Sequence, residues 1–448
     1  MHELASLLAG PVLEPGDPGY AAEVTAFNAA VAHAPAVAVG ATSTADVAEA
    51  VRFAARHGLP VHVEATGHGA HAPATGGMLI TTRRMDSVSI DPAARVATIA
   101  GGTRWSAVVA AAAPHGLAPI TGSAASVGAT GYLLGGGLGP LARSHGFSSD
   151  YLLGATVVTA DGSILEASAD GDAELYWALR GGKGGFGVVT EARVRLVDLP
   201  QLYAGSLVVD GVHAEPLLRG WVDWSATAPD DVTTSVAVMR YPDADFLPPM
   251  LRGRFLVHLR VAFPGPAEEG ERLAAPLRAL APVDADLLGV LPIGEVATIH
   301  SDPEGPLPSW GWGTFLRPID QDFVTEFTRQ FHPASSLPFL GVELRHLGGA
   351  THRDVDGGSA VGGRDGAFAL HALGAPDPSL FAEVLPRATE GFAAALAPWI
   401  AERTNIHWMP HVPDAAAFAR AWPEDTRARL DVVRRRVDPH GVFPFGPH

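Results

Sequence analysis

Four glycine-rich segments follow one another within the first 190 residues, and they restrict the fold more than any other feature of the chain. The first is Glu64-Ala65-Thr66-Gly67-His68-Gly69-Ala70. The second runs from Gly122-Ser123-Ala124-Ala125-Ser126-Val127-Gly128-Ala129-Thr130-Gly131 into Gly135-Gly136-Gly137-Leu138-Gly139. The third joins Asp150-Tyr151-Leu152 to Val158-Thr159-Ala160-Asp161-Gly162. The fourth spans Trp177 to Thr190 and contains Gly181-Gly182-Lys183-Gly184-Gly185-Phe186-Gly187-Val188-Val189. Without side chains, backbone N–H groups can reach a pyrophosphate and the chain can lie flat against a ring system. Negative charge can then be held without a basic cluster. In a chain with 51 glycines, the order of the segments carries more information than any one of them.

Two nucleotide motifs are excluded by context. Gly182, Gly184 and Gly187 match Gly-x-Gly-x-x-Gly, but that fingerprint needs a strand before it and a helix after it. Here the helix-like Ala173–Leu179 precedes and the β-branched Val188-Val189-Thr190 follows. A P-loop needs Ser or Thr after its lysine, whereas Gly184 follows Lys183.

Around these segments the chain alternates short strands and helices. Ala36–Val39, Val61–Val63, Gly77–Thr81, Val88–Ile90 and Val96–Ala100 are predicted strands. Ser43 caps a helix carrying Val47, Ala50, Val51 and Ala54 at helical spacing, and Gly58 with Pro60 stops it. A second helix is predicted over Ser106–Ala113, and Asp161-Gly162 turns a hairpin between Gly154–Thr159 and Ile164–Ala167. Near Leu199-Pro200 the glycine motifs fade and longer strands appear at Leu207–Val209, Ser235–Met239 and Phe255–Val261. Helices predicted at Glu268–Leu280 and Pro378–Ala388 complete an antiparallel sheet backed by helices. A last helix is predicted over Pro423–Val437.

The bulk composition narrows the partners. The net charge of −17 repels nucleic acid and anionic lipid, and the absence of cysteine removes disulfides, iron–sulfur clusters and thiol nucleophiles. No apolar run reaches the roughly 20 residues that span a bilayer, and the N-terminal stretch lacks signal-peptide character. The chain therefore reads as soluble and cytoplasmic, with a composition typical of a high-GC bacterial genome. His62 and His71 lack the spacing of a metal site, so none is expected.

The ordered segments resemble the vanillyl-alcohol-oxidase/PCMH flavoprotein superfamily, and within it the berberine-bridge-enzyme-like oxidases. The resemblance covers most of residues 36–197 and extends to Ile299–Pro308, Glu343–Ala350 and Asp438–Phe443. It implies an α+β fold: a two-subdomain PCMH-type FAD-binding domain, residues 1–199 with 396–448, and an inserted antiparallel-sheet substrate domain, residues 200–395. It also implies FAD attached covalently through His68. Ala124 stands where some members carry a second, cysteinyl attachment, so a single bond is expected. The implied cofactor contacts are Thr66, Gly67 and Gly69 at the pyrophosphate, then Gly122, Ser123, Ser126, Val127, Gly128, Thr130, Gly131, Gly135, Gly136 and Gly137 at the ring. Gly187, Val188 and Val189 are assigned to the adenosine side.

The chain departs from its relatives in four places. Glu64-Ala65-Thr66-Gly67 replaces Arg-Gly-Gly-Gly, Gly69 replaces Ser, and Gly185 replaces a common Asn. The usual Tyr-x-Asn falls at Asn405-Ile406-His407-Trp408 without its phenol, and Gly357–Gly363 offers no glutamate base. His407 is then the candidate base, because imidazole titrates near working pH. Glu343 and Arg345 share one face of a predicted strand, with Leu344 and His346 on the other. That pair fits either a surface ion pair or the lining of a substrate cavity. The implied reaction is hydride transfer from a small hydroxyl-bearing molecule, with O2 as the expected final acceptor. The alternatives are a non-redox cyclisation or elimination on a flavin scaffold, and a non-catalytic binding protein.

Overall fold

The computed structural model describes residues 2–245, 247–410, 412 and 414–446. A four-stranded sheet comes first, in the spatial order Val12–Leu13, Val37–Gly40, Met78–Thr81, Val61–Glu64. Its last three strands pair in parallel, so a helix must cross over between Val37–Gly40 and Val61–Glu64. Thr44–Arg56 supplies that crossover. Ser43 Oγ accepts the Asp46 N–H at 3.1 Å to start it, and Val47, Ala50, Val51 and Ala54 are fully buried. A five-stranded antiparallel sheet follows, ordered Val88–Asp91, Val96–Ala100, Val188–Arg195, Leu152–Val158, Ile164–Ser168. The predicted hairpin at Asp161-Gly162 joins its last two strands.

Eight strands between Gln201 and Gly374 form the third large element, an antiparallel sheet whose central strands are Phe255–Phe263, Thr233–Arg240, Phe339–His346 and Phe368–Gly374. Alternation gives it two unlike faces. Leu207, Leu259, Val236, Leu344 and Leu370 point into an apolar core shared with Trp221, Phe323, Phe327 and Phe392 from the covering helices. At about 1.5–3 kcal/mol per buried side chain, this face dominates the stability of the second half. The opposite face carries two rows of aligned residues: Arg260, Ser235 and Arg345, then His258, Ala237, Glu343 and His371.

The chain returns to its first half at the end. Helix Glu424–Val437 buries Leu430, Val433 and Val437 in the same core as Trp105, Leu175 and Phe186. Two helix predictions shift for one physical reason. Pro378–Ala388 is instead a short turn, Pro378–Leu380, followed by a helix over Val384–Leu396. A continuous helix would have put Pro386 in its interior, where it lacks an N–H and clashes with the preceding turn; in the observed helix it lies in the first turn. Likewise Trp105–Ala112 gives way to a 3-10 turn, Ala113–His115, around Pro114.

Arg143 ties the halves together. Its Nε donates to the Val232 carbonyl at 2.9 Å, its Nη2 to the Pro229 carbonyl at 3.0 Å, and its Nη1 to the Leu347 carbonyl and to His346 Nε2 at 3.0 Å. His346 also stacks on Phe368, with ring centroids 5.0 Å apart. Burial, reinforced by the adjacent Arg143, pushes this imidazole down to about 3. Folded His346 therefore stays neutral at pH values where the unfolded chain binds a proton, and stability falls as pH drops from about 6.5 toward 3. The slope from this one residue reaches about 1.4 kcal/mol per pH unit. His346→Gln, which keeps an acceptor for Arg143, should flatten the acid limb of a stability-versus-pH curve from urea unfolding; an unchanged limb would remove His346 from the account.

Candidate active site

The His68 loop leaves strand Val61–Glu64 and is gripped from two sides. Phe27 N donates to the Thr66 carbonyl at 3.0 Å and Asn28 N to the Gly67 carbonyl at 3.3 Å. Gly67 has φ +77°, and a Cβ there would lie 2.6 Å from the Ala26 Cβ, so glycine is required. On the other side, Gly128 N donates to Thr66 Oγ1 at 3.2 Å. The Thr66 hydroxyl proton is then left for His68 Nδ1, 3.0 Å away, while His68 Nε2 lies 3.1 Å from Ser126 Oγ. Phe27 stacks on the His68 ring at 3.5 Å. Burial, with Arg104 nearby, pushes His68 down to about 4, so the imidazole is neutral at working pH.

The glycines of the second segment do two different jobs. A Cβ at Gly122 or Gly137 would strike the Tyr132 ring, and one at Gly135 would strike His407; these absences make room for protein side chains. At Gly69 and Gly131 a Cβ would meet nothing within 4 Å, so of the glycines in the first two segments these two border open space. Ser123, Ala124 and Val127 are half-buried on the same loop, and Gly136 has φ +101° beside Asn405. In the fourth segment the glycines pack against protein. Gly184 and Gly185 lie under Phe445 and Arg434, and Gly187 abuts the Val158 carbonyl. Val188 and Val189 pair with Val158 and Val157 inside the five-stranded sheet.

The polar face of the large sheet forms a roof over this floor. Arg345 Nη1 donates to the Leu138 carbonyl at 2.7 Å, tying the roof to the second glycine segment. Its Nη2 lies 3.2 Å from both Glu343 Oε1 and His300 Nε2, and the guanidinium sits 5.1 Å over the Trp408 ring. Arg260 approaches Glu343 at 3.5 Å and His300 approaches it at 3.4 Å. Burial opposes ionisation of Glu343, but Arg345, His300 and Arg260 together hold its carboxyl well below the usual range. Burial lowers His300 and His371, so both are neutral. Two guanidiniums against one carboxylate leave the roof with a surplus of one positive charge. Glu343 and Arg345 therefore belong to a buried ion network and not to an exposed sheet surface.

His407 differs from its expected role. Its Nδ1 accepts the Gly137 N–H at 3.2 Å, and its Nε2 lies 2.9 Å from Lys183 Nζ and 3.2 Å from the Gly131 carbonyl. Both ring nitrogens are engaged, so the imidazole has no lone pair to spare as a base. The phenol of Tyr132, which stacks on His407, is pushed up to about 12 by burial. His371 is the better-placed imidazole: it pairs directly across from Glu343, and its ring nitrogens have no hydrogen bond among the described residues. Sequence reading missed Phe27, Arg260, His300, His371 and Lys183. Arg260 could have been found as a lone charge alternating within an apolar strand; Phe27 gave no signal. A cavity of about 340 Å³ beside Gly211, Phe255 and Phe331 contains none of these residues. Among the described residues, no cluster of His, Cys, Asp and Glu could hold a metal ion, and no helix is long and apolar enough to cross a membrane.

Residues 35–168 match the family model described as an FAD binding domain. The chain is 33% identical over 303 residues to an (R)-6-hydroxynicotine oxidase of Paenarthrobacter nicotinovorans, covering 65% of this chain and 63% of that relative. The matches span less than two thirds of the first curated relatives' own length. Among solved structures, the 6-hydroxy-D-nicotine oxidase of Arthrobacter nicotinovorans superposes with TM-score 0.82 at 26% identity, over 97% of this chain and 96% of that one. A glucooligosaccharide oxidase of Acremonium strictum, whose FAD is described as 6-S-cysteinyl and 8α-N1-histidyl, gives TM-score 0.81 at 22% identity, covering 98% and 97% of the two chains.

The residues present fit an FAD. Thr121 Oγ1, Thr130 Oγ1, Ser149 Oγ and Asn405 Nδ2 are buried without protein partners. Buried polar atoms are normally satisfied, so this set suits a ligand edge rich in donors and acceptors. The roof yields a stability prediction. Replacing Arg345 by Leu strands the Glu343 carboxylate and should cost ~3 kcal/mol in urea unfolding, whereas Glu343→Gln should cost clearly less. Equal small losses, near those of surface substitutions, would show that the network is not a buried one.

Proposed function

We propose that the chain, whose residues 35–168 match an FAD binding domain and whose fold is that of the 6-hydroxy-D-nicotine oxidase, is a flavoprotein of the vanillyl-alcohol-oxidase/PCMH type that oxidises a small hydroxyl-bearing molecule. In this reading residues 1–199 and 396–448 hold the cofactor, and residues 200–395 hold the substrate. FAD is attached through His68 alone; neutral His68 carries the lone pair that such a bond needs, and Ala124 offers no second ligand. When bound, the flavin supplies a two-electron acceptor that O2 can regenerate.

The observation that carries the proposal is the pairing of an open, polar-lined floor at Gly69 and Gly131 with a net-cationic roof. Oxidising an alcohol requires loss of the hydroxyl proton, and negative charge develops on that oxygen. Arg345 and Arg260 are aligned on the roof to stabilise that charge without reorganising. Glu343 fixes both guanidiniums and, held ionised among them, is a poor base. We assign proton acceptance to neutral His371 in place of His407. Trp408, between Arg345 and His371, excludes water and gives the substrate a flat wall. The named relatives act on a hydroxylated nicotine and on glucose oligosaccharides, so the substrate class is a hydroxylated heteroaromatic or a sugar-like alcohol. The protein acts as a soluble, cytoplasmic enzyme in secondary metabolism.

The test is anaerobic mixing with a panel of such alcohols. Bleaching of the flavin band, then H2O2 on admission of air, is the expected result. Product without bleaching would reject oxidation and favour a non-redox cyclisation or elimination. His371→Phe should slow the bleaching step by about 10²–10⁴-fold, with activity in the parent protein holding to below pH 6.5 because burial lowers this imidazole.

A further inference from the structure

Arg345 has one donor without a partner. Its Nη1 donates to the Leu138 carbonyl and its Nη2 faces Glu343 and His300 Nε2, while Nε–H has no hydrogen bond among the described residues. Two neighbouring atoms share that condition: Oγ of Ser235, which pairs directly across the sheet from Arg345, and Nδ1 of His300. A guanidinium can only donate, so His300 Nε2, 3.2 Å from Nη2, accepts, and the neutral ring carries its proton on Nδ1. Three donors are therefore left without an acceptor. All three side chains are more than nine-tenths buried, with Ser235 and Arg345 3% exposed and the His300 side chain 6%. A buried donor left unpaired costs free energy, so three together call for a common acceptor.

These residues line one small cavity. Ser235, His300 and Arg345 bound it together with Arg260, and Ala262 and Ile299 complete an apolar wall. Its volume is about 10 Å³, room for one sphere of about the size of a water molecule. A carboxylate, phosphate or sulfate does not fit. Charge then separates water from an ion: Arg260 and Arg345 face a single carboxylate, Glu343, and no carboxylate lines the cavity. A net positive charge buried without a counter-ion is costly. Water would bring two more protons to a place where N–H and O–H groups are already in excess. A monatomic anion accepts from all three donors and offsets the charge. None of the residues assigned to FAD lines the cavity, so a bound cofactor leaves it free.

We propose that this cavity is a binding site for a single halide ion, which balances the charge of the roof. Ser235 O–H, Arg345 Nε–H and His300 Nδ1–H donate to the ion, and Arg260 supplies the excess positive charge that retains it. The Arg260 side chain keeps 12% of its surface exposed, which gives an ion a way in along that residue. The site does not rest on the oxidation proposed above, because it involves neither flavin nor alcohol. A bound halide and a hydroxyl losing its proton draw on the same surplus of positive charge, so the anion opposes that step.

The test uses holoenzyme dialysed into equal concentrations of sodium chloride, bromide or methanesulfonate, the last a monovalent anion too large for the cavity. Tm should rise saturably with chloride and bromide relative to methanesulfonate, by about 2–4 °C at ten times the dissociation constant. Ser235→Val, which removes one donor and adds methyl bulk to the cavity wall, should abolish that difference. Ser235→Ala, which removes the hydroxyl alone, should fold as the parent does and raise the chloride midpoint about tenfold or more. Crystals grown in bromide should show anomalous density at the point bounded by Ser235, His300, Arg345 and Arg260. Equal melting in chloride and methanesulfonate, a chloride effect undiminished in the Ser235 variants, or a water without anomalous signal at that point would overturn the proposal. None of these readouts involves flavin bleaching or turnover of an alcohol, so failure here is distinct from failure of the oxidase reading.

Discussion

One hydrogen bond sets the height of the site: Arg345 Nη1 on the Leu138 carbonyl, 2.7 Å. It joins the polar face of a sheet built from the second half of the chain to a glycine loop built from the first. The same guanidinium holds Glu343 and lies over Trp408, so roof, floor and side wall meet at one residue. A planar five-donor group can make these contacts together, and a lysine could not. Arg143 makes a second tie one strand position away, reaching Val232, Pro229, His346 and Leu347. Between the two arginines, the sheet has little freedom to shift over the glycine floor.

The electrostatic pattern follows from burial. Neutral histidines surround the site: His68, His300 and His371 are lowered chiefly by loss of water. Charge on the roof is carried by the Arg260, Arg345 and Glu343 cluster, where each ion has an opposite partner. A site of this kind favours proton loss from a bound hydroxyl through fixed cations and a neutral imidazole. It does not require the phenol that the Asn405–Trp408 segment lacks.

Local patterns in the sequence were enough to locate the helix at Ser43–Arg56, the hairpin at Asp161-Gly162 and the alternation at Glu343–His346. Each is decided by neighbours within a few residues. The His68 loop was also legible, because Gly67 must take φ +77° whatever the distant contacts are. What could not be read depends on residues far apart in the chain. Phe27 reaches His68, and Lys183 reaches His407 across 224 positions. Glycines of these segments also make room for Tyr132, His407 and Phe445, a use that composition alone cannot distinguish. His407 was an attractive base on residue type, and only its contacts with Gly137, Lys183 and the Gly131 carbonyl showed it to be committed elsewhere.

The central claim is that an FAD lies between this floor and roof and is bonded to His68. It is tested most directly by the mass of the purified chain after denaturation in acid. The account predicts a yellow polypeptide heavier than the sequence mass by one FAD, with the increment located on the peptide containing His68. Flavin that separates on denaturation, leaving the bare sequence mass, would contradict it.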